Sequence, residues 1–460
     1  MLYALLRSVA GVALRWFYRR IDVEGLERLP RNAPLLLVAN HPNALVDALL
    51  IGWAMPRRVV LTAKATLFES RPVAWLLGWI GVVPLVRSND VRAAGGTTID
   101  PRRNARAFGA LRGVLRNGGA VVIFPEGITH DNPSLAPLRT GAARIALESR
   151  DEGGVHNLHI VPIGLTFERK DAPRTRVLVQ VGDAIAVDRW TVQGDAAVQA
   201  LTDEIDARLR AVTQNYETVD DASRAAALSA LFAALFRDEP ESIGSTRSLR
   251  VEVSIARRVE ESRRALVRSA DDQLRARADA LLRSLAGFEE RLSLHHVALD
   301  DVSVSAEGRY AAPFVLRESW ALGVAGPVAL WGAINHWLPF HGARVIARRS
   351  IESASDPAMR TIVAGAALVI AFYALQGALV GVFAGWIAAA LYVASLPLAA
   401  DVNFVLRERL ERAVRRARTY VLFRRRPRLH AQLRCELGRL RAEALELERL
   451  LSRVSVSEAV

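Results

Sequence analysis

The 460-residue chain pairs a positive mean hydropathy, +0.16, with a formal net charge of +13. With 51% hydrophobic and 24% charged residues it is not a disordered chain, and no nucleic-acid motif or basic-aromatic pattern accompanies the charge. One cysteine, Cys435, excludes an internal disulfide and a cysteine-built zinc site, and Lys64 and Lys170 are the only lysines, so the positive charge is arginine. The combination suits a membrane protein with arginine-rich flanks, built from about two or three domains.

At the N-terminus Leu2, Leu5, Leu6, Val9, Val12 and Trp16 share one helical face, with Arg7 and Arg15 roughly opposite. Residues 1–19 therefore read as an amphipathic interfacial helix, although a helix packed on a core would carry the same stripe. The apolar run between those arginines is too short for a signal peptide.

From 20 to 190 short β-rich runs alternate with helical stretches. Leu35–Val38, Val59–Leu61, Val82–Leu85, Ala120–Phe124, Ile160–Ile163 and Val177–Val181 are expected strands. Ala44–Met55, Ala105–Asn117 and Thr140–Ser149 are expected helices. That alternation predicts an α/β layer domain with buried strands.

Residues 195–315 read as a helical extension, in which Val267, Ala270, Leu274, Leu281, Leu285, Phe288 and Leu292 recur at helical spacing. Residues 320–400 form the apolar region, for neither 320–340 nor 361–400 contains Asp, Glu, Lys or Arg. As helix, 361–400 would run about 60 Å, against about 30 Å for one crossing, so it predicts a membrane hairpin with its reversal at Gln376-Gly377. Pro327, Asn335, His336 and Pro339 weaken a plain span over 320–340. That segment is expected to re-enter or lie at the interface, leaving both arginine-rich flanks on one side, with an ordinary third span and inverted topology as the alternative. In the tail, 401–460, Leu433, Leu437, Leu440, Ala444, Leu447 and Leu451 keep a heptad rhythm, which predicts a short coiled coil able to pair in a homodimer.

Four groups of residues could carry chemistry. Asn40-His41-Pro42-Asn43-Ala44-Leu45-Val46-Asp47 leaves the first buried strand, and Asn43 is a suitable helix cap. His41 then falls within reach of Asp47, which would fix its tautomer and make it a general base for an alcohol; a capping histidine beside an unrelated surface aspartate fits the same residues. Gly81-Val82-Val83-Pro84-Leu85-Val86-Arg87 ends a strand on an arginine suited to phosphate. Phe124-Pro125-Glu126-Gly127 turns sharply after another strand and holds a carboxylate at a pocket rim, and Arg139 opens the next helix, where phosphate can bind. In Val161-Pro162-Ile163-Gly164 the proline is expected to shape one wall. Arg102, Arg103 and Arg106 form a basic approach, or a solvated loop.

In this order the four blocks resemble those of the glycerolipid acyltransferases, the phospholipid/glycerol acyltransferase family, over about residues 20–190. The resemblance implies an α/β acyltransferase domain with a mixed sheet flanked by helices, here followed by the helical extension, membrane hairpin and coiled coil. It implies that His41 takes the proton of an acceptor hydroxyl, that Asp47 orients His41, and that the alkoxide attacks an acyl thioester on coenzyme A or acyl carrier protein. Arg87, Glu126, Gly127 and Arg139 would hold a glycerol-phosphate acceptor and Pro162 would line the acyl-donor wall, with no metal or cofactor required. The gap between His41 and Asp47 is one residue longer than the family's usual spacing and resembles the branch containing fungal glycerol-3-phosphate and dihydroxyacetone-phosphate acyltransferases. First-position acylation in phospholipid biosynthesis is thus favoured, with 1-acylglycerol-3-phosphate acylation as the alternative and a catalytically impaired lipid-binding scaffold as the reading from another class. The expected setting is a bacterial inner membrane, with the catalytic domain facing the cytoplasm and membrane lipids as partners.

Overall fold

The computed structural model describes every residue except 1, 70, 86–100, 171, 193–194, 236–247, 269–270, 303, 305–310, 350–356 and 458–460. The chain forms two compact units, residues 1–219 with 343–367, and residues 220–342 with 368–460.

The first unit is built on a mixed sheet. Its strands are β1 (Arg20–Glu24), β2 (Leu35–Ala39), β3 (Val59–Val60), β6 (Ala120–Ile123), β7 (His159–Phe167), β8 (Arg176–Val181) and β9 (Ile185–Ala186). They run in the order β1-β8-β7-β2-β6-β3, with β9 on β7. The central strands β7, β2, β6 and β3 are parallel, whereas β8 and β9 pair antiparallel with β7. Two further strands, β4 (Thr62–Lys64) and β5 (Val83–Leu85), form a separate parallel pair.

The Leu-Leu-Leu-Val-Ala run of β2 is buried throughout, as a strand covered on both faces must be. Leu36 and Val38 join a cluster with Leu111 and Leu115 of α4 (Pro101–Arg116) and Ala142 and Ala146 of α5 (Gly141–Asp151). Leu35, Leu37 and Ala39 turn the other way, toward Ala48 and Ile51 of α2 (Ala44–Ala54). Ala197, Leu201 and Ile205 of α6 (Asp195–Val212) complete the first cluster. This helix, expected to begin the extension, is a layer of the α/β unit because its apolar stripe matches the open sheet face.

The N-terminal helix α1 (Leu2–Phe17) packs on the core, the second of the two readings its stripe allows. Leu14 and Phe17 are buried, and Arg7 Nη2 donates to the Trp53 and Met55 carbonyls at 2.9 and 2.6 Å, satisfying the C-terminus of α2. Leu5 and Val9 stay exposed. Helix α3 (Arg71–Ile80) lies between β4 and β5 and carries two exposed, stacked tryptophans, Trp75 and Trp79.

The second unit is helical: α7 (Val219–Leu235), α8 (Leu249–Arg268), α9 (Asp272–Leu294), most of α10 (Ala311–Arg349) and α11 (Pro357–Ala384), α12 (Trp386–Arg425) and α13 (Pro427–Ser457). Three expectations are corrected in this unit. The hairpin turns at Gly385, whose φ of 88° suits glycine, and Gly377 packs against Val393 across the antiparallel pair. Residues 320–340 do not re-enter: α10 continues without reversal through Pro327 and Pro339, since a proline removes one helical N–H without turning the chain back. The heptad stripe of α13 is already covered, for Leu433, Leu440 and Ala444 bury against Leu281, Leu285, Phe288 and Leu292 of α9. Arg277–Glu446 and Arg291–Glu436 pairs set those two helices antiparallel, so the stripe is satisfied within one chain rather than by a second copy.

A polar group ties the apolar helices together. His336 Nε2 lies 2.6 Å from Tyr373 Oη, and Asn335 Oδ1 accepts from the Tyr392 hydroxyl at 2.6 Å and from Gln376 Nε2 at 3.4 Å. In apolar surroundings such bonds favour one packing of the helices over alternatives.

Candidate active site

The carboxyl ends of β2 and β6 lie side by side, with Val38 in register with Ile123, and the loops that leave the two strands meet, since the His41 N–H reaches Glu126. His41 follows β2 and is 5% exposed; Asp47, in the first turn of α2, is fully buried. His41 Nδ1 lies 3.0 Å from Asp47 Oδ2, so Nδ1–H donates to the carboxylate and Nε2 is the nitrogen able to take a proton. The imidazole stacks on Phe124 with ring centres 4.0 Å apart. It is held in place from two sides.

The long His–Asp gap is absorbed before the helix. Asn43 stands at φ −140° and Ala44 at φ +45°, a left-handed value rare outside glycine. After that twist Val46 N–H reaches the Asn43 carbonyl at 3.1 Å, and Asp47 points back at His41. The Asn43 N–H donates to the same Asp47 Oδ2 at 2.7 Å. Burial pushes the Asp47 carboxyl above its ordinary range, against the opposing pull of His41, the Asn43 N–H and Lys170.

Glu126 is buried as well, but its orientation differs from the expected rim carboxylate. Oε1 accepts the His41 backbone N–H at 2.9 Å, while Oε2 accepts the Ala136 N–H at 2.8 Å and a bond from His130 Nε2. His130 Nδ1 in turn accepts the Asn132 N–H at 3.1 Å, which places its proton on Nε2. Turned toward three protein donors, the Glu126 carboxylate braces the two strand-end loops rather than presenting itself to an acceptor.

Gly127 has φ +68°, and a side chain there would strike Arg139 at 2.6 Å from its Nε. The Arg139 N–H donates to the Pro125 carbonyl at 2.8 Å, which lays the exposed guanidinium across the glycine just before α5. Among the described residues that guanidinium has no hydrogen-bond or ion-pair partner. Pro162 is buried in β7 with its ring against Gly182, so it shapes the sheet wall from inside. Arg87 lies outside the described residues, as do the side chains of Arg102 and Arg103; Arg106 is exposed on α4.

Lys170 was hidden from sequence reasoning, and Asn43 and Asn40 were legible only as a helix cap and a member of the first block. Lys170, from the loop after β7, donates to the Pro42 carbonyl at 3.1 Å and pairs with Asp131. Asn43 Nδ2 donates to Tyr18 Oη and to the Lys170 carbonyl, both at 3.1 Å, and Asn40 makes two bonds to the Leu165 backbone. The rarity of lysine in this chain was the one available signal for Lys170; the others depend largely on contacts between residues far apart in the chain. Among the described residues no group of His, Cys, Asp and Glu side chains has the makings of a metal site.

Comparison with known proteins agrees with the blocks. Residues 20–166 match the acyltransferase family model. The glycerol-3-phosphate O-acyltransferase 1 of Saccharomyces cerevisiae is 34% identical over 48% of this chain and 40% of its own length. The 1-acyl-sn-glycerol-3-phosphate acyltransferase of Cocos nucifera is 29% identical over 40% of this chain and 55% of its own. The match thus spans less than two thirds of either relative, and these relatives, being eukaryotic, lend no support to a bacterial inner membrane. The crystal structure of a 1-acyl-sn-glycerophosphate acyltransferase from Thermotoga maritima covers 45% of this chain at 19% identity with a TM-score of 0.33, a likeness too loose to add to the sequence match.

Proposed function

From a chain that belongs, through residues 20–166, to the phospholipid/glycerol acyltransferase family, we propose a membrane-bound O-acyltransferase of glycerolipid synthesis. It moves a fatty acyl chain from an acyl thioester of coenzyme A or acyl carrier protein to a hydroxyl of a glycerol-phosphate acceptor. Glycerol 3-phosphate or dihydroxyacetone phosphate is the favoured acceptor. The observation that carries this reading is the His41–Asp47 pair, 3.0 Å apart, at the mouths of adjacent parallel strands.

His41 Nε2 accepts the proton as the acceptor oxygen attacks the thioester carbonyl; collapse of the tetrahedral adduct expels the thiolate, which takes the proton back from the imidazolium. Asp47 holds the ring tautomer and stabilises the imidazolium. Glu126 fixes the His41 backbone. Arg139, open above Gly127, binds the acceptor phosphate, and Arg87 is assigned the same role from its block. Pro162 belongs to the donor wall. No cofactor beyond the thioester co-substrate enters this scheme.

The membrane part rests on two helices long and apolar enough to cross a bilayer, Thr361–Ala384 and the first half of α12. Their outer faces expose Leu375, Leu379, Val382, Phe383, Ile387 and Leu391, a surface that lipid covers at no hydrophobic cost. The stacked Trp75 and Trp79 of the first unit suit an interface.

The decisive experiment is transfer of a labelled acyl chain by the purified full chain in lipid. Glycerol 3-phosphate, dihydroxyacetone phosphate and a 1-acylglycerol 3-phosphate serve as acceptors, with His41→Ala alongside. Transfer to one of the first two, lost in His41→Ala, is expected. Preference for the 1-acyl acceptor would move the assignment to the second acylation, and absence of transfer to all three would remove the catalytic reading.

A further inference from the structure

A cavity of about 870 Å³ opens within the second unit, between α10, α12 and the turn after α9. That volume lies in the range of about 300–1,000 Å³ typical of ligand sites. The two long helices run antiparallel along it, fixed by Arg409 donating to Glu318 at 2.6 Å and Trp331 Nε1 donating to Ser395 Oγ at 3.3 Å. The chemistry of its wall changes along their length.

One end is mostly apolar, lined by Leu322, Gly326, Leu330, Leu406 and Leu410 beside Asn403 and Arg407. Helix α10 reaches it from the uncharged segment 320–340. The other end carries Arg415, Arg418, His295 and His296. Acidic groups do not cancel that end. Glu411 pairs with Arg407, and buried Asp301 accepts from Arg415 at 3.1 Å and faces Arg416 at 3.6 Å, which leaves Arg418 with no partner among the described residues. Asp301 therefore anchors the basic end.

An apolar slot that runs from an uncharged helix segment to two arginines and two histidines is complementary to one class of molecule, an acyl chain ending in a phosphate. The geometry points to a site for an anionic glycerophospholipid of the bilayer, its chain between α10 and α12 and its phosphate on Arg418, Arg415 and the two histidines. The site lies wholly in the helical unit and shares no residue with the His41 crevice. It rests on the membrane reading above and not on the catalytic one.

The test reconstitutes the full chain in nanodiscs of equal parts phosphatidylcholine and phosphatidylglycerol, and reads retained lipid by native mass spectrometry after release from the disc. Phosphatidylglycerol is expected to remain bound while phosphatidylcholine is stripped. Arg418→Gln, at an exposed position, is expected to lower the phosphatidylglycerol-bound fraction about tenfold, as loss of one charge-assisted bond does. Gly326→Trp, which fills the apolar end, should abolish retention. Equal retention of both lipids, full occupancy in both variants, or displacement of the lipid by inorganic phosphate would each overturn the proposal. Acyl transfer measured on the same preparations separates the two readings, because Arg418→Gln leaves the His41 chemistry untouched.

Discussion

Ala44 shows how one backbone angle carries the geometry of the His41–Asp47 pair. An inserted residue in a helix would rotate the downstream side chains by about 100° and swing Asp47 away from His41. Here the chain takes up the residue in a left-handed step at φ +45°, just before the helical ladder begins. Ala44→Gly is therefore expected to keep acyl transfer. Ala44→Val, whose branched side chain tolerates that angle worst, should cost about 1–3 kcal/mol of stability and most of the activity. Thermal melts and transfer rates on the two variants check this, and equal behaviour would refute it.

Asp47 carries the opposite conflict, between stability and chemistry. Its Oδ2 accepts two bonds, while its Oδ1 is buried without one. With its carboxyl pKa raised in the folded state, the fold binds this proton more tightly than the unfolded chain does. The stability it contributes is full below the ordinary aspartate range and lost as pH rises through the folded value. Asp47→Asn is thus expected to melt no earlier than wild type at mildly alkaline pH. The same change reverses the His41 tautomer and should lower transfer by about a hundred- to ten-thousandfold. Retained activity in Asp47→Asn would show that His41 is oriented by something else.

Among the elements, the parallel strands were the most legible. Uninterrupted apolar runs such as Leu35–Val38 and Ala120–Phe124 announce burial on both faces, and β2 and β6 occupy them. Strands β1 and β4 escaped because Arg20–Glu24 is charged and Thr62–Lys64 is short; both exist by pairing with distant partners, Arg176–Val181 and Val83–Leu85. The stripes of α9 and α13 were legible as stripes, but their partner was not, since a heptad face is satisfied equally by a second copy or by another helix of the same chain. With Phe288 fully buried between them, Phe288→Ala is expected to cost about 3–5 kcal/mol, read as an earlier loss of helical circular dichroism on heating. Leu440→Asp should unfold this unit; a folded monomer released from an oligomer would instead mean that the stripe joins two chains.

At the scale of the molecule, the composition separates by location. Uncharged residues are concentrated in 320–340 and 361–400, where α10, α11 and the first half of α12 expose broad apolar faces, while the second half of α12 and α13 carry much of the arginine. Alkaline carbonate washing is expected to leave the chain in the membrane pellet, and its release to the supernatant would rule out spanning helices.

Local chemistry determined a great deal by itself. The strand runs, the four blocks, the apolar hairpin and the candidacy of His41, Asp47 and Arg139 for the site are written in patterns within a few residues of one another. Tertiary structure decided the rest: that the longer His–Asp gap still closes, that Glu126 faces the protein and not the crevice, that Lys170 and Asn43 join the site, and that α13 folds back on α9. Each of those outcomes depends on groups separated by long stretches of chain, or on a single dihedral angle, and neither leaves a periodic trace in the order of residues.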